Sequence, residues 1–367
     1  MRTIVATLAF LAFASSTATA QEYAPQIPLE SVENFFKLPP GINFGEVPGI
    51  AVKSNGNILV FSRSNPSGGG PAYGIRAAQL FEFDPNGNLI AEHGKNLYAW
   101  AFAHSVRVDA DDNIWTVDKG TDMVVKMDPQ GRVVWVFGRA QESSHVTGPI
   151  ERTDPPAPQG VGDDFRQPTD VAFDSQGNIY VADGYINARV AKFDRNGNWA
   201  LTWGEHGTGP GQFRTPHSIA IDKSDNVYVG DRSNARIQVF DVNGKYLREF
   251  KVSTPIRPGS MSVNGRTPAN LDAVGGNGAP NSLCIPPDND KVIFVGESTF
   301  PGRIIKATTD GQVLGVIGQS GRQLGMFSGA HGLACPSENL LFVAESSNSR
   351  AQKIILNPQR ATTGGAN

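Results

Sequence analysis

The sequence holds only two cysteines, Cys284 and Cys335, in 367 residues. Two are too few to define a disulfide framework. They read either as a pair closed in an oxidising compartment or as two small buried apolar residues, and both readings stay open. An excess of charge is also missing. The net charge of −3 gives no electrostatic reason to expect nucleic acid or an acidic membrane as partner. Beyond the N-terminus no apolar run is long enough to span a bilayer. At the N-terminus itself, Arg2, an apolar stretch over 4–14 and the small-residue site Ala18-Thr19-Ala20 read as a signal peptide over 1–20. The expected product is secreted or periplasmic and starts at Gln21. With 39% hydrophobic and 18% charged residues the chain is not of disordered type, and 41 Gly and 25 Pro call for many turns.

Six repeats are present. Each opens on a short apolar strand, beginning at Pro48, His104, Thr169, His217, Asn281 and His331. A turn of Asp, Asn or Gly follows, then a second apolar strand, at 57–63, 113–119, 178–185, 226–232, 293–298 and 341–346. Two more strands follow in most repeats, and Asn86-Gly87, Asn196-Gly197 and Asn243-Gly244 are hairpin signals between them. Repeated units of four antiparallel strands predict an all-β fold, a six-bladed β-propeller over 48–357. The sixth repeat is one strand short. Phe35-Phe36-Lys37-Leu38, within the N-terminal segment 21–47, is expected to supply it and close the ring. Residues 358–367 read as a flexible tail, and 139–168 and 251–280 as long loops suited to forming substrate walls.

Three of the six histidines, His104, His217 and His331, open the even repeats. The odd repeats carry Pro48, Thr169 and Asn281 there, so histidine is not part of the repeat pattern. Alternate blades of a six-fold ring are about 120° apart. First strands line the channel, so the three imidazoles should converge on one axis as metal ligands with an open position. Zinc is the default ion, although imidazole also suits copper, iron and nickel. His93, His145 and His206 read as solvent-facing. The residues after the acidic end of each second strand, Arg63, Lys119, Gly184, Arg232, Ser298 and Ser346, should ring one mouth of the channel. Arg63 and Arg232 are candidates for gripping a carboxylate. Tyr185, next to Gly184, should titrate low beside cations and is a candidate general base. Asp118, Asp183 and Asp231 read as turn residues, and Arg189, Arg236 and Arg350 as residues that pack the repeats.

The runs Asn178-Ile179-Tyr180-Val181-Ala182-Asp183 and Asn234-Ala235-Arg236-Ile237-Gln238-Val239-Phe240-Asp241 resemble the NHL repeat family. The stretches Gln167-Pro168-Thr169-Asp170 through Asp183-Gly184-Tyr185-Ile186-Asn187-Ala188-Arg189, and Pro216-His217-Ser218 through Asp231-Arg232-Ser233-Asn234-Ala235-Arg236, resemble the peptidyl-α-hydroxyglycine α-amidating lyase family. That resemblance implies a zinc lyase that cleaves an α-hydroxyglycine to an amide and glyoxylate. It makes His104, His217 and His331 the zinc ligands and Tyr185 the catalytic tyrosine. Arg232 and, with a looser local match, Arg63 become the active-site arginines. It also implies a structural calcium held by an Asp after the third zinc histidine, but that position is Gly332 here. The expected partner is a small-molecule or peptide substrate with a carboxylate, acted on by a monomer, with no nucleic acid and no membrane after signal cleavage. The competing readings are a non-catalytic NHL propeller that binds a ligand or protein, and a metal-dependent hydrolase of the lactonase type.

Overall fold

The computed structural model describes residues 23–63, 78–139, 161–260, 276–298 and 300–358. The signal-peptide reading, His145, the central parts of the two long loops and the tail from residue 359 lie outside these residues. Six four-stranded antiparallel sheets form the blades, and the described residues include no α-helix. The inner strands are Gly49–Val52, Ala103–Val108, Asp170–Phe173, Pro216–Ile221, Ser282–Cys284 and Ala330–Ser337, one to each of blades 1 to 6.

The second strands are nearly continuous apolar runs because both of their faces are covered. In blade 3, Ile179 and Val181 pack toward blade 2, while Tyr180 and Ala182 pack toward blade 4. The hydrophobic core is accordingly split into six clusters, one at each junction between neighbouring blades. Asx turns set the hairpins. Asp174 accepts from the backbone N–H of Gln176 at 3.0 Å and of Asn178 at 2.9 Å, and the Tyr180 hydroxyl donates to it at 2.8 Å.

The acids that end the second strands are fully buried. Asp183, Asp231, Glu297 and Glu345 pair with Arg189, Arg236, Arg303 and Arg350 at 2.9, 3.0, 2.7 and 2.6 Å. They are more than turn residues, since each ties its own blade to the loop above it. Asp183, for example, accepts from Arg166 N at 2.9 Å. Asp118 has Met123 opposite it in place of an arginine and is held instead by the amides of Ala101, Phe102, Gly120 and Thr121 at 2.8–2.9 Å.

The ring closes differently from the sequence expectation. The fourth strand of blade 6 is Leu29–Ser31, which pairs with Arg350–Leu356 in the register Leu29↔Leu356 to Ser31↔Ile354. Phe35 and Phe36 are not strand residues. They pack under the seam between blades 6 and 1, Phe35 with its ring 5.9 Å from Phe342 and Phe36 with its ring 5.0 Å from Phe83. Two adjacent large apolar residues fit a plug, with Phe35 buried and Phe36 half-buried, whereas an edge strand covered on one face needs only alternate ones. Cys284 and Cys335 form a disulfide that joins the inner strands of blades 5 and 6.

Candidate metal centre

His104, His217 and His331 each sit where the pairing of an even blade's inner strand skips a residue. The register passes from Ala103↔Asp118 to Ser105↔Val117, from Pro216↔Asp231 to Ser218↔Gly230, and from Ala330↔Glu345 to Gly332↔Ala344. A bulge leaves one residue unpaired and re-aims its side chain. Here it turns each imidazole into the channel, and the ring centroids stand 4.6–4.9 Å apart.

The odd-blade residues that replace histidine in the repeat serve the histidines through their backbones. Nδ1–H of His104 donates to Thr169 O at 2.6 Å, that of His217 to Asn281 O at 2.7 Å, and that of His331 to Pro48 O at 2.9 Å. This fixes the tautomer and leaves every Nε2 lone pair facing the axis. One ligand atom from each histidine lies within 4.8 Å of the other two. Burial first, then the neighbouring imidazoles and cations, hold His104 and His217 well below their ordinary value of 6.5. Burial and Arg63 bring His331 down to about 3. Three neutral, oriented, desolvated imidazoles are a donor set that fits zinc with one position open.

Tyr185 closes over this triad. Its hydroxyl lies 3.0 Å from His217 Nε2 and 3.3 Å from His104 Nε2, and Arg232 Nη1 donates to it at 3.4 Å. Burial alone would raise the phenol, but Arg232 and Lys119, with Arg63 behind them, outweigh it and hold it below 10. The approach depends on Gly184, where a Cβ would stand 1.8 Å from Pro216 O.

The backbone N–H groups of Arg63, Lys119 and Arg232 donate to Glu46, Phe102 and Thr215, each just upstream of its own inner strand. These bonds set the three cations around one mouth of the channel. The arginines differ in their surroundings. Arg63 is committed, with Nη1 donating to Glu46 at 2.6 Å, Nε to Ala103 O at 2.9 Å, and its guanidinium 3.7 Å from the Phe102 ring centre. Among the described residues Arg232 has no carboxylate partner, and its Nε is buried without a hydrogen bond. Sequence reasoning did not find Glu46 or Phe102, and it placed Asn281 only at the start of the fifth repeat, without the contact of its side-chain oxygen 3.5 Å from Arg232 Nη1. Of the histidines expected to face solvent, His206 is exposed, but His93 is not. Its ring is packed against Glu82, with Nε2 2.5 Å from the carboxylate.

The calcium implied by the resemblance does not fit. A Cβ at Gly332 would lie 2.7 Å from Pro48 O, so a carboxylate side chain there would collide with blade 1. Below the histidines the channel is crossed by Arg107 instead. Its Nε and Nη2 donate to the two oxygens of Asp170 at 2.9 and 2.6 Å, and its Nη1 donates to Leu333 O at 3.2 Å. The carboxylate of that part of the channel already has its cation.

A sequence family described as a 6-bladed beta-propeller matches residues 165–258. The chain is 31% identical over 236 residues to a peptidylglycine alpha-amidating monooxygenase of Rattus norvegicus, covering 58% of this chain and 22% of that protein. It is 28% identical over 178 residues to peptidyl-alpha-hydroxyglycine alpha-amidating lyase 1 of Drosophila melanogaster, covering 45% of this chain and 30% of that one. The chain thus spans less than a third of the length of these two relatives. A solved streptogramin B lyase structure superposes with a TM-score of 0.54 over 90% of this chain and 98% of that chain, and at 14% identity this likeness concerns the fold alone. The fold defines a six-bladed β-propeller. Within that class the chain is similar to the peptidyl-α-hydroxyglycine α-amidating lyases.

Proposed function

We propose that the protein is a secreted zinc-dependent lyase that splits a carbinolamide of the α-hydroxyglycine type into an amide and glyoxylate. The observation that carries this reading is the Tyr185 hydroxyl, within hydrogen-bonding distance of two ligand-ready Nε2 atoms and beside Arg232. A divalent ion held by His104, His217 and His331 supplies Lewis acidity to the substrate oxygen when bound. Tyr185 takes the proton of the substrate hydroxyl. The electron pair of that O–H bond becomes the carbonyl of glyoxylate as the C–N bond breaks, and the departing nitrogen regains the proton from the phenol. No co-reactant is needed. Arg232 faces the developing charge from a buried position, where a charged donor acts most strongly. The Cys284–Cys335 bond supports a secretory compartment.

The test uses the mature chain loaded with zinc and incubated with benzoylated α-hydroxyglycine, with glyoxylate as the readout. Glyoxylate should accumulate, and Tyr185→Phe should lower kcat by about 100-fold or more, the usual scale of a lost acid–base group. One equivalent of bound metal without glyoxylate would overturn the lyase reading. A metal content unchanged in His217→Ala would overturn the site.

A further inference from the structure

The mouth of the channel is an arc in which cations and aromatic rings alternate. Arg63 lies 3.7 Å from the centre of the Phe102 ring, and Lys119 Nζ lies 5.2 Å from the same ring. Lys119 Nζ also stands 3.9 Å from the centre of the Tyr185 ring, and the Arg232 guanidinium stands 5.2 Å from it. The order is thus Arg63, Phe102, Lys119, Tyr185, Arg232, running over blades 1 to 4. At the corresponding positions blades 5 and 6 carry the neutral Ser298 and Ser346.

The three cations of the arc are not equivalent. Glu46 neutralises Arg63 at 2.6 Å, and a third contact to Ala103 O fixes its guanidinium. Among the described residues no carboxylate lies within ion-pair distance of Lys119 or Arg232. A ring face attracts an ammonium but does not neutralise its charge. A half-buried ammonium and a buried guanidinium, both set against the Tyr185 ring and without an acid among the described residues, form a receptor for an anion. They flank Tyr185, so an anion bound there lies next to the group that handles the substrate's proton.

We propose that Lys119, together with Arg232, binds the carboxylate of the substrate, and that Arg63 is a positioning residue that braces Phe102 and the arc behind them. This rests on the lyase reading above and replaces the carboxylate grip expected from the sequence, Arg63 with Arg232, by Lys119 with Arg232. The substrate class it names is a small N-acyl amino acid with a free carboxylate.

The experiment compares zinc-loaded wild type, Lys119→Met and Lys119→Arg, each as the full mature chain with its melting temperature recorded. Calorimetry measures the Kd for benzoylglycine, a stable carboxylate without the hydroxyl, and for benzamide, which lacks the carboxylate. Kinetics with benzoylated α-hydroxyglycine gives kcat and KM separately. Lys119→Met should raise both the Kd for benzoylglycine and KM by about 10- to 100-fold, the range of a lost charge-assisted hydrogen bond. It should change kcat by only a few-fold and leave benzamide binding unaltered, and Lys119→Arg should restore most of the loss. Should Lys119→Met fail to fold, Lys119→Gln takes its place. Benzoylglycine bound by Lys119→Met as tightly as by wild type overturns the proposal, and so does wild type that fails to bind it. If wild type forms no glyoxylate, the lyase reading falls, while benzoylglycine binding still decides the role of Lys119.

Discussion

Glu82 in blade 1 receives His93 Nε2 at 2.5 Å, Asn57 Nδ2 at 2.7 Å and Lys53 Nζ at 3.2 Å. Burial alone would raise this carboxyl, but the three donors outweigh it and hold it at about 2, against 4.5 for a free glutamate. An acid depressed in the folded state adds stability above its unfolded value and loses that contribution as the pH falls through its folded value. The melting temperature should therefore fall between pH 4.5 and about 2, and Glu82→Gln should flatten that stretch of the curve. An equal slope in the variant would remove Glu82 from the account. At this scale the sequence was legible where a residue broke the repeat. His104, His217 and His331 stood out against Pro48, Thr169 and Asn281, and Tyr185 stood out in its Asp-Gly-Tyr setting. It was not legible where function depends on a partner chosen in space. Nothing in the spacing of Glu46 and Arg63 shows that the one cancels the other's charge. His93 beside Gly94 looks like a turn residue, yet its strand turns it inward onto Glu82.

Elements position the site through irregularities that no motif records. The bulges at His104, His217 and His331 occur only in even blades, and they aim the three rings. Beyond the bulge, the same strand in blade 2 delivers Arg107 to the channel. From the sequence this is one more polar residue on an alternating strand. In the structure its guanidinium ties blade 2 to Asp170 of blade 3 and to Leu333 of blade 6. Arg107→Met would leave the buried Asp170 carboxylate without its ion partner, which costs about 3–5 kcal/mol. The melting temperature should drop accordingly, and adding Asp170→Asn to that variant should recover part of the loss. No recovery in the double variant would mean that Arg107 acts through its packing alone.

The number of blades was readable because the repeats keep their turn chemistry. The closure of the ring was not. Leu29–Ser31 is three residues long, with a single apolar side chain, and carries no periodic signal. Phe35 and Phe36 form a conspicuous apolar pair, yet Phe35 belongs to the core and Phe36 packs against it. Removing residues 23–31 should expose the edge of Arg350–Leu356, lower the melting temperature and promote association, as unpaired strand edges do. Replacing Cys284 and Cys335 together by serine should cost about 2–5 kcal/mol, read by denaturant unfolding under oxidising conditions. Unchanged unfolding would show that the bond between blades 5 and 6 carries no load.

Each ligand histidine takes its orientation from a carbonyl of the next blade round: His104 from Thr169, His217 from Asn281, and His331 from Pro48 across the seam where the two ends of the chain meet. All six blades therefore contribute to one histidine cluster, three with nitrogens and three with oxygens behind them. On the zinc reading, ion affinity would measure whether the circle is intact. A defect anywhere in the ring that shifts an inner strand would loosen the ion, and a bound ion would in turn hold the circle closed by mass action.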